Sequence, residues 1–344
     1  MIYELSHKYK RIAIVGMAKN AGKTTSLNYF LEEAMDEAMT VGVTSTGRDG
    51  ERTDIVTGTD KPSIWLEEGT LVSVPVRLYE LADAGLEILR RTEYGTPLGP
   101  ILLCRVANSG YVQVAGPVIN AQHDRLCEEM LEAGAEIVLI DGAIDRKTIA
   151  APETSDAIIL STGAVISRQM QTVIEETAHT VGLYRLPRLE DGPVREALED
   201  HLAQADEEDR ILLVEDEKVN PLDVRTGLGA GRILSPRIDQ AAKAGLTHVF
   251  IPGAFTPGTI DGIDPRAMRR VTFVLKDPTK IFFQPQVWRK MQKWGLRVEV
   301  LENINVAAVT VNPTSPLGYR FDQQELVQRM QAALPDVPVI DVMG

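Results

Sequence analysis

Hydrophobic positions along the chain fall into two patterns. Some are short β-branched runs; others recur every three or four residues. "RIAIVG" (11–16) is of the first kind and ends at glycine, as a buried strand does. "KTTSLNYFLEEAMDEA" follows, with Leu27, Phe30, Leu31 and Met35 near helical spacing. "VGVTSTG" predicts a second strand opening onto the polar loop "RDGERTDIVTGTDKP". "TLVSVPV", "PILLCRVA" and "YVQVAGPV" predict further strands, and 124–133 predicts a helix. "EIVLIDGAIDR" predicts a strand ending at Asp141, and "DAIILSTG" a strand followed by a helix over 168–180. Such alternation predicts an α/β fold with a mostly parallel, doubly wound sheet.

After Pro187 the pattern breaks. "EDGPVREALEDHLAQADEED" is acidic and poor in large apolar residues, so it reads as a solvated helix or connection. Beyond it, "RILLVED", "THVFIPGA", "RVTFVLKD", "RVEVLEN", "VAAVTVNP" and "VPVIDV" predict strands, with helices over 236–244, 286–294 and 322–334. The expected organisation is a first α/β domain over 1–187 and a smaller α/β domain over 188–344. The length of 344 residues fits two domains at about 150 residues each.

Composition narrows the function. A net charge of -13 repels phosphate backbones and anionic lipid, so general nucleic-acid or membrane-surface binding is not expected. Two cysteines, Cys104 and Cys127, make no disulfide framework and fit a reducing compartment. No apolar run is long enough for a membrane span, and the apolar run before Gly16 is short for a signal peptide. The expectation is a cytoplasmic protein.

The chemistry begins at "VGMAKNAGKTTSLN" (15–28). Strand, glycine loop and helix form the setting of a phosphate-binding loop, and G-K-T-T is intact. Glycines let backbone N–H groups approach a phosphate, and the helix N-terminus adds a favourable dipole. In this reading Gly16, Lys19, Asn20, Ala21, Gly22 and Thr25 surround the phosphates. Lys23 reaches the β- and γ-phosphates, and the Thr24 hydroxyl ligates Mg²⁺. The loop has five residues between Gly16 and Gly22 where the common pattern has four.

Asp141, ending an apolar strand, is placed as a second Mg²⁺ ligand acting through water. Asp145 and Arg146 follow it, as γ-phosphate sensors or as a pair with each other. Ligands of doubly wound sheets sit at the carboxyl ends of the strands, so "TGRDGERTD" should reach the nucleotide. Asp49, Glu51 and Asp54 are candidates for Mg²⁺ or for positioning water, and Arg48 and Arg52 for phosphate. Lys23, Asp49 and Asp141 form the catalytic set.

Other signals are weaker. His123 and Cys127 have i, i+4 spacing, but no third metal ligand is evident nearby. Cys104 lies in an apolar strand and reads as core. Trp288, Met291 and Trp294 share one helical face and read as packing. "IPGAFTPGT" and "VNPTSPLGYRFD" follow strands, and line a second-domain pocket or serve as tight connections.

The five-residue spacing resembles the P-loops of dethiobiotin synthetase and of the cobyrinate and cobyric acid amidotransferases, within the SIMIBI class of P-loop enzymes. Related MinD-type ATPases carry a signature lysine five residues before the loop lysine. That position here is Ala18, with Lys19 one place later, so a dimer-bridging lysine is not supported. At "GMAKNAGKTT", "TSTGRDGERTD" and "DGAIDRKTIAAPETSDAIILSTGA" the chain resembles the P-loop subunit of the lysine 5,6-aminomutase reactivase. That resemblance implies a Mg-ATP-hydrolysing subunit that renews the cobalamin of an adenosylcobalamin-dependent aminomutase. Its implied partners are the aminomutase, acting on lysine or ornithine, and a MutS-related ATPase subunit. The second domain is then the expected client contact, and "TGRDGERTD" the expected switch.

The competing expectation is an ATP-dependent biosynthetic ligase like dethiobiotin synthetase or a cobalamin-pathway synthase. The amidotransferase version needs a glutaminase nucleophile, and neither cysteine sits in a convincing nucleophile turn. A metallochaperone GTPase would expect a Cys/His cluster and an N-K-x-D element. The nearest string, "NPLD" (220–223), lacks the lysine, which favours ATP. A non-hydrolysing nucleotide-binding scaffold is the remaining reading.

Overall fold

The computed structural model describes residues 1–46, 63–142, 155–204, 210–225, 230–241 and 246–343. Helix α1 (Ile2–Lys8) leads into strand β1 (Arg11–Gly16), which is buried from Ile12 onward. A strand of Ile, Ala, Ile and Val without polar alternation needs cover on both faces. Helix α2 (Lys23–Asp36) buries Ser26, Leu27, Phe30, Leu31 and Ala34, the inward stripe of an amphipathic helix. Met35, grouped with that stripe by spacing, is exposed.

The chain continues through β2 (Val41–Ser45), β3 (Ile64–Leu66), β4 (Leu71–Pro75), α3 (Val76–Tyr79), β5 (Gly85–Thr96), β6 (Gly99–Asn108) and β7 (Gly110–Val112). Next come α4 (Asn120–Glu132), β8 (Ile137–Asp141), β9 (Ala157–Gly163) and α5 (Met170–Tyr184). Then follow α6 (Pro193–Gln204), β10 (Arg210–Glu215), β11 (Lys218–Arg225), α7 (Ala230–Ala241) and β12 (Leu246–Ile251). Helix α8 (Pro265–Met268), β13 (Thr272–Leu275), α9 (Pro285–Trp294) and β14 (Val298–Val300) precede β15 (Val306–Asn312), α10 (Gln323–Ala333) and β16 (Val339–Asp341).

The chain separates into two compact units. One is Met1–Ala178 with Asn305–Gly344, and the other is His179–Ile304. The sequence reading places one boundary at 187, whereas these units divide at 178/179 and again at 304/305. The cause is β15, which pairs in parallel with β9 (Val309 opposite Leu160) and carries β16 with it. An apolar strand pattern reports burial, not which sheet supplies the partner.

The first unit holds a nine-stranded sheet in the order β16-β15-β9-β1-β8-β2-β4-β6-β5. It is parallel from β16 to β4 and antiparallel at β6 and β5. The protein is therefore α/β, with a large, mostly parallel mixed sheet. The edge strand β5 has no counterpart in the sequence reading. It carries Glu87, Arg90, Arg91 and Glu93, and its solvated charges hide the strand period while blunting the open edge. "YVQVAGPV" yields only Gly110–Val112, paired antiparallel with β3 in a separate ribbon.

The second unit has its own sheet, β11-β10-β12-β13-β14, parallel only across β12, β13 and β14. Its core stacks Phe255 on Phe273 and Phe283, with Phe283 against Trp288. Helix α7 begins six residues before the predicted start at Pro236, which lies inside it. In the acidic stretch, α6 is mostly solvated but turns Arg195 and Leu198 inward. Arg195 is held by Glu199 and Glu302 (2.8 Å each) and donates to the carbonyls of Leu189 and Leu301.

Candidate functional site

The order of the first sheet locates its ligand end. From β1 the chain moves toward β2 and β4; from β8 it moves the other way, to β9, β15 and β16. The reversal falls at the β1/β8 pair. In open α/β sheets such a switch point forms a crevice at the strands' carboxyl ends. Gly16 and Asp141 are the last residues of those two strands.

Gly16 is buried, and a Cβ there would lie 3.0 Å from Lys23 Cγ and 3.2 Å from the Ala18 carbonyl. A glycine at that point lets the loop fold back over its own strand. Met17 N donates to the Ser161 carbonyl at 2.9 Å, and Ala21 N to the Ala18 carbonyl at 3.2 Å. Asn20 and Gly22 both have positive φ, 64° and 101°. Two such residues close together bend the loop sharply, and glycine adopts this conformation without steric cost.

Gly22 is the N-cap of α2 and brings no side chain to it. The first N–H groups of a helix lack intrahelical partners, and a helix N-terminus of this kind favours an anion. No acidic residue stands in that first turn. Lys23 is the first helical residue, and its Nζ donates to the Gly142 carbonyl, adjacent to Asp141. Gly142 N in turn donates to the Ile14 carbonyl at 3.1 Å. Asp141 lies opposite Ile14 of β1 and Ser45 of β2. Lys19, Asn20 and Thr24 are exposed, Lys23 and Thr25 half-buried, and Ala21 buried.

Gly16, Lys19, Asn20, Ala21, Gly22, Lys23, Thr24 and Thr25 thus form one loop and helix start, with Asp141 on the neighbouring strand end. Asp49, Glu51, Asp54, Arg48, Arg52, Asp145 and Arg146 lie outside the described residues. The donor set fits a polyphosphate and its cation. It combines a cationic side chain, a helix N-terminus, exposed hydroxyl and amide groups, and a carboxylate across from them.

Residues that sequence reading did not assign hold this loop from behind. The hydroxyls of Ser26, Ser161 and Thr310 lie 2.7–3.0 Å from one another and are buried. Ser26 Oγ also donates to the Gly22 carbonyl at 3.0 Å. Asn312, ending β15, packs against Gly22: a Cβ built there would lie 3.2 Å from the Asn312 Cβ. "VNPTSPLGYRFD" therefore borders the glycine loop of the first unit, and not a pocket of a second domain. The signal for it was a hydroxyl residue on each of α2, β9 and β15, with no way to pair them by sequence alone. Ser26→Ala is expected to lower stability by about 1 kcal/mol, since it leaves two buried hydroxyls fewer partners. Urea unfolding measures this.

The weaker candidates resolve physically. Burial pushes the Cys104 and Cys127 thiols up to about 12, so neither is a ready thiolate. His123 Nδ1 lies 3.8 Å from Cys127 Sγ. Among the described residues no group of three or more His, Cys, Asp or Glu is placed to hold a metal ion. "NPLD" lies within β11. No described helix is long and apolar enough to cross a membrane. No protein-family model matches the chain, and no curated protein matches it significantly.

Proposed function

We propose that the protein binds and hydrolyses Mg-ATP at its glycine loop, as the nucleotide-handling subunit of a reactivase that renews the cobalamin of an adenosylcobalamin-dependent amino-acid aminomutase. The observation that carries the nucleotide part is the bond from Lys23 to the Gly142 carbonyl. It ties the start of α2 to the residue beside Asp141, so cation, helix N-terminus and carboxylate share one end of the sheet.

In this proposal the backbone around Gly16, Lys19, Asn20, Ala21 and Gly22 wraps the phosphates, with Thr25 beside them. Lys23 offsets charge on the β- and γ-phosphates. Thr24 and Asp141 would hold Mg²⁺, Asp141 through water, and Asp49 would be a further ligand or orient the attacking water. Bound Mg²⁺ supplies neutralisation of developing phosphate charge. The second unit carries client contacts. Nucleotide state alters the client only through different contacts in its open and closed forms.

The client identity rests on the motif resemblance. It is tested with an inactivated aminomutase, adenosylcobalamin and Mg-ATP, with and without the MutS-related subunit. Recovery of lysine or ornithine aminomutase activity that depends on ATP is expected. No recovery with either enzyme rejects the client. ATP consumption that follows an added small carboxylate would instead support the ligase reading.

A further inference from the structure

The chain carries -13 overall, yet residues 265–297 hold nine Lys and Arg against one Asp, a local balance of +8. That aspartate, Asp277, is buried and accepts from the backbone and hydroxyl of Thr279, so it does not neutralise the surface. The remainder of the chain therefore holds -21.

Part of this charge is gathered around one exposed aromatic ring. Arg269 Nε donates to the Trp294 carbonyl at 3.1 Å, and Arg297 donates to the Arg269 carbonyl at 2.9 Å. The Lys290 ammonium lies 4.6 Å from the centre of the Trp294 ring. Arg270 and Lys293 adjoin these residues in sequence, and all six side chains are exposed, Trp294 by 42 %. None of the five cations forms an ion pair with a described carboxylate. Glu299 lies within electrostatic reach of Arg297 without pairing with it.

Like charges held together with no ion pair to a described carboxylate repel in the free protein, and a partner that supplies the negative charge relieves this. Arg and Trp are also the residue types that dominate binding hot spots. We propose that Arg269, Arg270, Lys290, Lys293 and Arg297, around Trp294, form a docking face for an acidic surface of a protein partner. The cations steer and register that surface, and the indole supplies the apolar anchor. Nucleic acid fits less well. Lys290 already covers one face of the ring that base stacking would use, and the rest of the chain repels a phosphate backbone. The face lies wholly in the second unit, so the proposal stands apart from the nucleotide reading.

The test titrates the whole protein at low ionic strength with a fluorescently labelled peptide of glutamates interspersed with leucines. A single-stranded oligonucleotide of matched charge runs in parallel. The peptide is expected to bind more tightly than the oligonucleotide, and to weaken as salt is raised. The triple variant Arg269→Glu/Lys290→Glu/Lys293→Glu is expected to lose about tenfold or more in peptide affinity, and Trp294→Ala about threefold. If the triple variant does not fold, the single exposed change Lys293→Glu replaces it. Absence of peptide binding, or affinity unchanged in the folded charge variant, overturns the proposal. Tighter oligonucleotide binding overturns it in favour of nucleic acid.

Discussion

Replacing Lys23 by alanine is expected to weaken Mg-ATP binding by about 10- to 100-fold, the usual weight of one or two charge-assisted hydrogen bonds to phosphate. The side chain starts at the first position of α2, just after β1, and reaches across to the Gly142 carbonyl just after β8, so its ammonium already bridges the ends of these two strands. A phosphate bound there would meet that ammonium beside the positive end of the helix dipole. The fold should survive the change, because Lys23 is only half-buried and alanine is the best helix former. Calorimetric titration with ATP and Mg²⁺, next to thermal melts of both proteins, separates lost binding from lost structure. Unchanged affinity in a folded variant would remove the phosphate assignment, whatever became of the client.

Acid is expected to destabilise the first unit through His123. The ring is 2 % exposed on α4, its Nε2 has no hydrogen-bond partner among the described residues, and its Nδ1 faces the Cys127 thiol. Burial lowers its pKa from the ordinary 6.5 to about 4, and the charge of Arg11 acts in the same direction. The folded protein therefore keeps the ring neutral. Above pH 6.5 neither folded nor unfolded chain binds this proton, and the stabilisation is complete. As pH falls from 6.5 toward 4, the unfolded chain takes up the proton first, and up to about 3 kcal/mol is lost. Urea unfolding across that range should show a shallower pH slope for His123→Leu than for the wild type. Identical slopes would mean that the buried ring is not the group responsible.

Much of the first unit was legible because its strands are buried on both faces and its helices show one inward stripe. β1, β8 and β9 announce themselves by uninterrupted Ile, Val, Leu and Ala. The glycine loop was legible because its parts are consecutive in sequence. Asp141 was legible as the polar end of an apolar strand, and the sheet order then sets it beside β1. What did not show was anything that depends on pairing at a distance. Nothing in "VAAVTVNP" says that its partner is β9 and not a strand of its immediate predecessors. Ser26, Ser161 and Thr310 are ordinary hydroxyl residues until the three elements come together. β5 escaped because a solvated edge strand needs no hydrophobic period, and β11 because "KVNPLDVR" mixes polar residues with a proline.

The return of the chain to its first sheet also governs the order in which the protein can be made. Ser26 and Thr310 touch across 284 positions of sequence. On the ribosome, β9 emerges well before its neighbour β15 exists, and it waits as an open edge while the entire second unit is synthesised. Domains usually fold as units in the order of synthesis, but here the earlier one cannot close until the later one is finished. Long-range closure of this kind slows folding, so the nascent chain depends on the second unit folding promptly to bring the last two strands home.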